Sequence, residues 1–139
     1  HNPPYRHVKL TLKLELPGWA RVLGSAEWIR TAFDSLVENA VKAVEHQPVQ
    51  EVTICTQRAG TTAEILIADT GPGIPDDVRN KIGLDLIEKS EDAKGLGMGL
   101  LMSQVIVQTY GGEIRVACTG PKGTTMVIAL PLDKEEKNN

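Results

Sequence analysis

Two glycine-rich segments of the chain carry the residue types that can hold an anion. The first is Asp69-Thr70-Gly71-Pro72-Gly73-Ile74, and the second is Gly95-Leu96-Gly97-Met98-Gly99. Glycine lets the backbone approach a ligand closely and leaves N–H groups free to point at negative charge. The second segment also stands where a helix is predicted to begin, so the helix dipole favours a phosphate there. Each segment taken alone is equally compatible with an ordinary turn.

Standard phosphate-binding motifs do not fit these segments. No G-x-x-x-x-G-K-[ST] sequence occurs, and Gly120-Pro121-Lys122-Gly123-Thr124 resembles it only in part. The second segment is not G-x-G-x-x-G, and it follows a charged run, whereas a dinucleotide-binding fingerprint follows a strand. Any phosphate site formed by these segments therefore belongs to another class.

A predicted helix adds two candidate ligand-binding side chains. Apolar residues recur at helical spacing from about Ala26 to Glu45, and Ser25 is a suitable N-cap. Asn39 falls at the edge of the apolar stripe among small residues, which leaves room for a ligand or a hydrated ion. Lys42 lies one turn further on, close enough to share an anionic ligand. A surface asparagine and a solvated lysine are the alternative interpretation of the two positions.

The remaining elements follow from apolar periodicity. Strict alternation from Val8 to Leu16 predicts a half-buried strand, and a weak pattern near Asp77 to Ile82 predicts a short helix. Further strands are predicted at Val52–Thr56, Ala63–Ala68, Ile114–Ala117 and Thr125–Leu130. A second helix follows Gly99, with its apolar side at Leu100, Leu101, Val105, Ile106 and Tyr110. This order predicts an α/β (α+β) two-layer sandwich, a mixed and mostly antiparallel sheet with helices on one face.

Length and charge limit the classes of function. The 139 residues suit one domain, predicted over 1–132 and followed by a charged, disordered tail over 133–139. A net charge of −3 gives a nucleic-acid partner no electrostatic support, and no apolar stretch is long enough to span a membrane. Because the chain begins with His1 rather than methionine, we expect it to be a piece of a longer protein. Cys55 and Cys118 are expected to be reduced thiols.

Four motifs in order resemble those of one ATP-binding superfamily. Leu36-Val37-Glu38-Asn39-Ala40-Val41-Lys42-Ala43 resembles the N box of the GHKL (Bergerat-fold) superfamily. The first glycine-rich segment is similar to the G1 box, and Gly95 to Leu100 is similar to the G2 box. Gly123-Thr124-Thr125 is similar to the start of the family's closing strand. The resemblance covers about Val8 to Pro131, and it is strongest for the catalytic and ATP-binding domain of sensor histidine kinases.

The resemblance implies a role for each candidate residue. Asp69 would accept a hydrogen bond from the adenine amino group, and Gly73 would let adenine approach closely. Asn39 would place its carbonyl oxygen on Mg²⁺, Lys42 would balance phosphate charge, and Thr124 would support the adenine end. The implied nucleotide site also includes Gly71, Ile74, Gly95, Leu96, Gly97, Met98, Gly99 and Leu100. Within this set, Asn39 and Lys42 are the implied catalytic residues, and Asn39 is the implied metal ligand.

The resemblance also implies a function and partners. The chain would donate the γ-phosphate of ATP to a histidine on a separate dimerisation domain, and a response regulator receiver domain would be a further partner. His1, His7 and His46 lack the sequence context of such a histidine. We expect the isolated chain to be monomeric and cytoplasmic, either free or as the cytosolic part of a membrane-anchored receptor.

Other functions remain open at this point. An anti-sigma-type serine kinase that binds a partner would carry the same motifs. A non-catalytic nucleotide-sensing domain is a further alternative, because the segment around Ile82-Gly83-Leu84 lacks the phenylalanines common in kinase lids. An ATP-operated clamp is least favoured, since Ser35 stands where the hydrolysing branches place a glutamate base, and serine takes up a proton from water poorly.

Overall fold

A five-stranded mixed sheet forms one layer of the structure, a computed structural model that describes residues 8–14, 22, 24–74 and 97–133. The strands are β1 (Lys9–Leu14), β2 (Glu51–Ala59), β3 (Thr62–Asp69), β4 (Glu113–Gly120) and β5 (Gly123–Pro131). They lie in the order β1-β2-β3-β5-β4, with β1 parallel to β2 and the other neighbours antiparallel. The continuous apolar run Ile65-Leu66-Ile67 lies in the central strand β3, as predicted.

Two helices, α1 (Ala26–Val44) and α2 (Gly97–Thr109), form the second layer. They pack against each other, α1 also packs on β2 and β3, and α2 also packs on β4 and β5. Their apolar faces join one face of the sheet in a single core that includes Leu36, Ala40, Ile54, Ile67, Leu100, Val107, Met126 and Ile128. The predicted two-layer fold with helices on one face is therefore confirmed.

Helix α1 begins and ends where its capping residues predict. The Ser25 hydroxyl accepts a hydrogen bond from the Trp28 backbone N–H at 3.3 Å, which satisfies a donor that the first turn leaves free. At the other end, the Glu45 N–H donates to the Lys42 carbonyl, and His46 adopts a left-handed φ of 68°. Because α1 is fixed at both ends, the positions of Asn39 and Lys42 along it are fixed as well.

Helix α2 buries most of its predicted apolar side, including Leu100 and Ile106, but one predicted residue departs from it. Val105 is 40% exposed, whereas Ser103 and Gln104 are buried. The Ser103 hydroxyl donates to the Ala32 carbonyl of α1 at 3.2 Å, so the two helices approach closely at this point. The prediction that Val105 lies on the buried side was wrong, because Val105 lies about 200° around the helix from Ser103, the residue that contacts α1.

The edge strand β1 is less buried than its alternating pattern predicts. Leu10 and Leu12 are in register with the buried Val52 and Ile54, yet they are 53% and 59% exposed. The described helices pack mainly over β2 to β5, so they leave this edge uncovered.

Several predictions fall on other parts of the chain. The predicted short helix at 77–82 and residues 134–139 of the predicted tail lie outside the described residues, and the domain limits stay predictions. Cys55 and Cys118, on β2 and β4, are not joined in a disulfide. Neither α1 nor α2 is both long and apolar enough to cross a bilayer.

A polar network crosses the sheet. The buried Glu64 of β3 accepts hydrogen bonds from Gln57 at 2.8 Å and from Arg115 Nη2 at 2.6 Å, and Arg115 also lies 3.6 Å from the Glu113 carboxylate. Ala129 of β5 pairs with both Glu64 and Glu113, so the Arg115 side chain reaches across β5 to bond Glu64. The hydrogen bond from Arg115 is the main reason that the pKa of Glu64 is lowered, and the bond from Gln57 adds to it.

We predict that Arg115→Met lowers the free energy of unfolding at pH 7 by about 1–3 kcal/mol, because it leaves a buried carboxylate without its charged partner. A carboxylate with a lowered pKa stabilises the fold above its ordinary pKa, and that stabilisation is lost as pH falls through the lowered value. The effect of the substitution should therefore shrink near pH 3, as measured by urea unfolding at both pH values.

Glu113→Gln is the matched control for this prediction. Glu113 is exposed and only loosely paired with Arg115, so its loss should cost less than about 1 kcal/mol. Equal losses in the two variants, or a loss in Arg115→Met that does not depend on pH, would contradict the assignment.

Candidate functional site

A cavity of about 230 Å³ lies between α1 and the adjoining ends of β3 and β5. Its walls are mostly apolar, with a few polar groups at the margin. The lining residues are Leu36, Asn39, Ala40, Lys42, Ala43, Ile67, Asp69, Pro72, Gly73, Ile74, Leu100, Thr124 and Met126. An apolar cavity with a small number of placed polar groups is the usual form of a small-molecule site, and a flat aromatic ring suits it.

The Asp69 carboxylate is the acidic group of this cavity. Asp69 ends β3, and its Oδ1 accepts a hydrogen bond from the Gly71 N–H at 2.8 Å. The N–H of Thr124, its partner on β5, also donates to the carboxylate. Burial raises the pKa of Asp69, and the two backbone N–H groups oppose that rise. A carboxylate accepts more than two hydrogen bonds, so Asp69 can still select a donor group on a ligand.

The segment from Asp69 to Ile74 is packed tightly between α1 and the β4–β5 hairpin. A Cβ atom at Gly71 would lie 2.8 Å from the Ala43 carbonyl oxygen of α1. Gly73 has a φ of 94°, and a Cβ there would lie 2.5 Å from the Gly120 carbonyl oxygen. Both glycines are thus required by contacts within the protein. Gly73 lines the cavity, as its predicted contact with adenine requires, whereas Gly71 is not among the lining residues.

The other end of this segment is tied to β2. The Thr70 hydroxyl donates to the Val49 carbonyl at 2.7 Å and accepts from the Glu51 N–H at 3.0 Å. The Thr70 N–H in turn donates to the Glu51 carbonyl. The backbone that carries Asp69 is therefore held from the β2 side as well as from α1 and the hairpin.

Asn39 and Lys42 bring polar groups to the cavity from α1. Asn39 lies in the wall, and its Nδ2 atom is buried with no hydrogen-bond partner in the part of the chain that the structure describes. An unpartnered buried amide is costly, and a ligand that bonded to it would remove that cost. Lys42 is 63% exposed, and its Nζ lies 3.9 Å from Glu38, a weak surface pair that leaves the ammonium available.

The remaining predicted residues divide into three groups. Ile74, Leu100 and Thr124 line the cavity, and Leu100 and Thr124 are buried. The backbone of Gly97, Met98 and Gly99 forms the first turn of α2, directly before Leu100. Gly95 and Leu96 lie outside the described residues. The structure therefore gathers residues from distant parts of the sequence, and leaves the roles of individual residues as predictions.

Thr119 contacts two residues of the cavity wall, and the sequence did not predict it as part of the site. Its hydroxyl accepts a hydrogen bond from the Ile74 N–H at 2.9 Å and lies 2.8 Å from the Thr124 hydroxyl. Strands predicted at 114–117 and 125–130 were too short to include either threonine. The two strands in fact extend to Gly120 and Gly123, which places Thr119 opposite Thr124. A prediction of longer strands in this hairpin would have placed Thr119 beside Thr124.

Comparisons with known proteins agree with this architecture. Residues 24–134 match the model of the family described as histidine kinase-, DNA gyrase B-, and HSP90-like ATPase. The chain is 36% identical over 121 residues to the C4-dicarboxylate transport sensor protein DctB of Rhizobium meliloti (strain 1021), which covers 86% of this chain and 19% of that protein. It is 30% identical over 126 residues to the sensory histidine kinase/phosphatase NtrB of Vibrio alginolyticus, covering 84% and 35%.

A solved structure gives the same result for the fold. The mycobacterial sensor histidine kinase MprB superposes with a TM-score of 0.71 at 25% identity, over 92% of this chain and 86% of that one. The chain spans about a fifth of the length of DctB and about a third of the length of NtrB.

We predict that Asp69→Asn lowers the affinity for ATP about tenfold to a hundredfold, because an amide NH₂ would face the adenine amino group and leave unpaired donors, at about 1–3 kcal/mol. The same variant should keep or raise the melting temperature at pH 7. A raised pKa means that ionisation of Asp69 is less favourable in the folded protein than in the unfolded chain. The protonated carboxyl group therefore stabilises the fold below the ordinary aspartate pKa, and this stabilisation is lost as pH rises through the raised pKa. Asparagine does not ionise, so it avoids that loss.

Titration with a fluorescent ATP analogue and thermal melts at pH 4 and 7 measure the two effects. Asp34→Asn, the same substitution at an exposed position of α1, should change neither. Unchanged nucleotide affinity in Asp69→Asn would rule out the assigned role, and a clear fall in its melting temperature at pH 7 would contradict the argument from burial.

Proposed function

The chain belongs to the family of histidine kinase-, DNA gyrase B- and HSP90-like ATPases, and we propose that it carries out the phosphate-donating step of a two-component sensor histidine kinase. It is an ATP-binding domain of the histidine kinase type. The observation that carries the proposal is the Asp69 carboxylate at the margin of an apolar cavity, with Asn39 and Lys42 on the same cavity's helical wall. Asp69 suits the base of a nucleotide, Asn39 suits a metal ion bound to the phosphates, and Lys42 suits the phosphate charge that the ion leaves.

The adenine ring would occupy the apolar part of the cavity. Ile67, Ile74 and Met126 offer apolar contacts there, and Asp69 offers an acceptor at the edge. Adenine presents an amino donor to that acceptor, whereas guanine presents a carbonyl oxygen at the same ring position. The Asp69 carboxylate and the guanine carbonyl oxygen would both be acceptors and would repel each other, so the site favours ATP over GTP.

A magnesium ion fits the residues of α1. The Asn39 amide can turn its oxygen to a hard cation, and its buried nitrogen, which lacks a partner among the described residues, could then donate to a phosphate or a water molecule. One amide oxygen is a weak site alone, so the nucleotide phosphates and water would complete the coordination. When bound, the ion would neutralise part of the phosphate charge.

Positioning and charge neutralisation are the contributions that phosphoryl transfer needs. A histidine ring nitrogen would attack the γ-phosphorus in line, a P–N bond would form, and the bond to the bridging oxygen would break to release ADP. Lys42 would hold negative charge near the phosphates, and the first turn of α2, formed by Gly97 to Leu100, would offer backbone N–H groups.

The acceptor histidine would lie on a dimerisation domain of the same, longer protein, and a response regulator receiver domain would then take the phosphate. This part of the proposal is supported by the histidine kinase relatives, which are three to five times as long as the matched region. The site would act in the cytoplasm, where ATP is available, and the isolated domain would be a monomer.

Phosphotransfer in the full-length protein tests the proposal. Incubation with γ-labelled ATP should give a labelled protein whose phosphate is acid-labile and alkali-stable, as expected for phosphohistidine. Asn39→Ala should reduce the rate by more than about tenfold, or ~1.4 kcal/mol, while Arg30→Ala on the exposed side of α1 should retain it. Acid-stable phosphoserine on a second protein would favour an anti-sigma-type kinase, and binding without transfer would favour a nucleotide sensor.

We further predict that Asn39→Ala removes most of the magnesium dependence of ATP binding. In the unmodified protein, affinity should fall about tenfold when EDTA replaces Mg²⁺, whereas the variant should show little difference, because it lacks the amide oxygen that joins the ion to the protein. Isothermal titration calorimetry in both buffers measures this. Equal affinity of the unmodified protein with and without Mg²⁺ would exclude Asn39 as a metal ligand.

A further inference from the structure

We propose that Thr119 is a positioning residue that sets the selectivity of the cavity for the adenine base. Thr119 does not line the cavity itself, but both groups that its hydroxyl bonds, the Ile74 N–H and the Thr124 hydroxyl, belong to residues that do. The inference rests on the proposed nucleotide function of the cavity and names a residue through which that cavity recognises its base.

The hydroxyl of Thr119 joins two elements that are far apart in sequence. Ile74 ends the segment that begins with Asp69 and is 45 residues from Thr119 in sequence, whereas Thr124 lies directly across the β4–β5 hairpin. A hydroxyl oxygen has two lone pairs and one proton, so it can accept from Ile74 and bond Thr124 at the same time. Serine can do the same, and valine, although equal in shape, can do neither.

Close packing beside this bridge makes it sensitive to small displacements. Gly73 lies against the Gly120 carbonyl group, next to Ile74 and Thr119, and leaves no space for a side chain on Gly73. On the other side of the hairpin, a Cβ atom at Gly123 would overlap the Asp69 carbonyl oxygen. The hairpin therefore touches the Asp69–Ile74 segment at both of its ends, and the Thr119 hydroxyl provides a side-chain hydrogen bond to the Ile74 end.

The Asp69 carboxylate depends on the same hairpin. It accepts a hydrogen bond from the Thr124 N–H, and the Thr124 hydroxyl is in turn held by Thr119. If the bridge is removed, the hairpin and the segment can separate slightly, and the carboxylate loses its fixed direction towards the base. A hydrogen bond to a ligand weakens steeply with angle, so selectivity for the adenine amino group should fall before the fold does.

The test compares ATP with purine riboside triphosphate, which lacks the amino group, in calorimetric titrations of the domain. Thr119→Val should weaken ATP binding about three- to tenfold, or ~0.7–1.4 kcal/mol, and leave the affinity for the analogue nearly unchanged, so the preference for ATP falls. Thr119→Ser should restore that preference. Thr125→Val, the next threonine on β5, whose hydroxyl contacts the Cys118 thiol, is the matched control and should behave like the unmodified protein.

Equal loss of affinity for both nucleotides, or a Thr119→Ser variant that behaves as Thr119→Val, would overturn the proposal, since a purely structural role predicts either result. Hydrogen exchange of the Ile74 amide in the unmodified protein is an independent measurement that needs no variant. The proposal requires protection of that amide, and exchange at the rate of a free peptide would overturn it. If the unmodified protein does not bind ATP, the proposed function fails first, and this inference fails with it.

Discussion

Close contact between backbone atoms fixes the segment from Asp69 to Ile74, and the candidate site depends on that contact. The segment meets the Ala43 carbonyl of α1 through Gly71 and the Gly120 carbonyl of the hairpin through Gly73. A side chain at Gly71 would push the segment away from α1, and one at Gly73 would push it away from the hairpin. The glycines of this segment therefore serve the packing of the fold first, and the cavity exists because that packing brings a helix, a strand end and a hairpin together.

The same packing places a carboxylate where water is scarce. The burial of Asp69 raises its pKa, which is a cost to the ligand-free fold that the N–H groups of Gly71 and Thr124 offset only in part. Asn39 presents a second cost of the same kind, because its buried amide nitrogen has no partner in the described part of the chain. Both costs lie in one cavity, and a single ligand with a donor at one end and anionic oxygens at the other would relieve both.

Sequence reasoning reached the fold for physical reasons that differ between elements, whereas most residues of the cavity came from the resemblance to the family's motifs. The strands and α1 were predictable because alternation, helical spacing and a serine cap act locally. The burial of the polar Ser103 on α2 was not predictable in this way, since its contact with α1 depends on which helix it meets. The exposure of Leu10 and Leu12 was also missed, because an alternating pattern shows which face is apolar and not whether another element covers it.

The polar groups of the cavity differ in how firmly the described residues hold them. Asp69, Gly73 and Thr124 are held by backbone contacts and by hydrogen bonds across β3, β5 and the hairpin, so their positions are set before any ligand arrives. Asn39 and Lys42 have no comparable restraint on their polar atoms, since one lacks a described partner and the other pairs weakly at the surface. Under the proposed function, a rigid base site would give selectivity, and adaptable groups beside the phosphates would tolerate their movement. The proposed transfer of a phosphate to an acceptor on another domain would use that combination, because the base would stay bound while the phosphate end meets a partner.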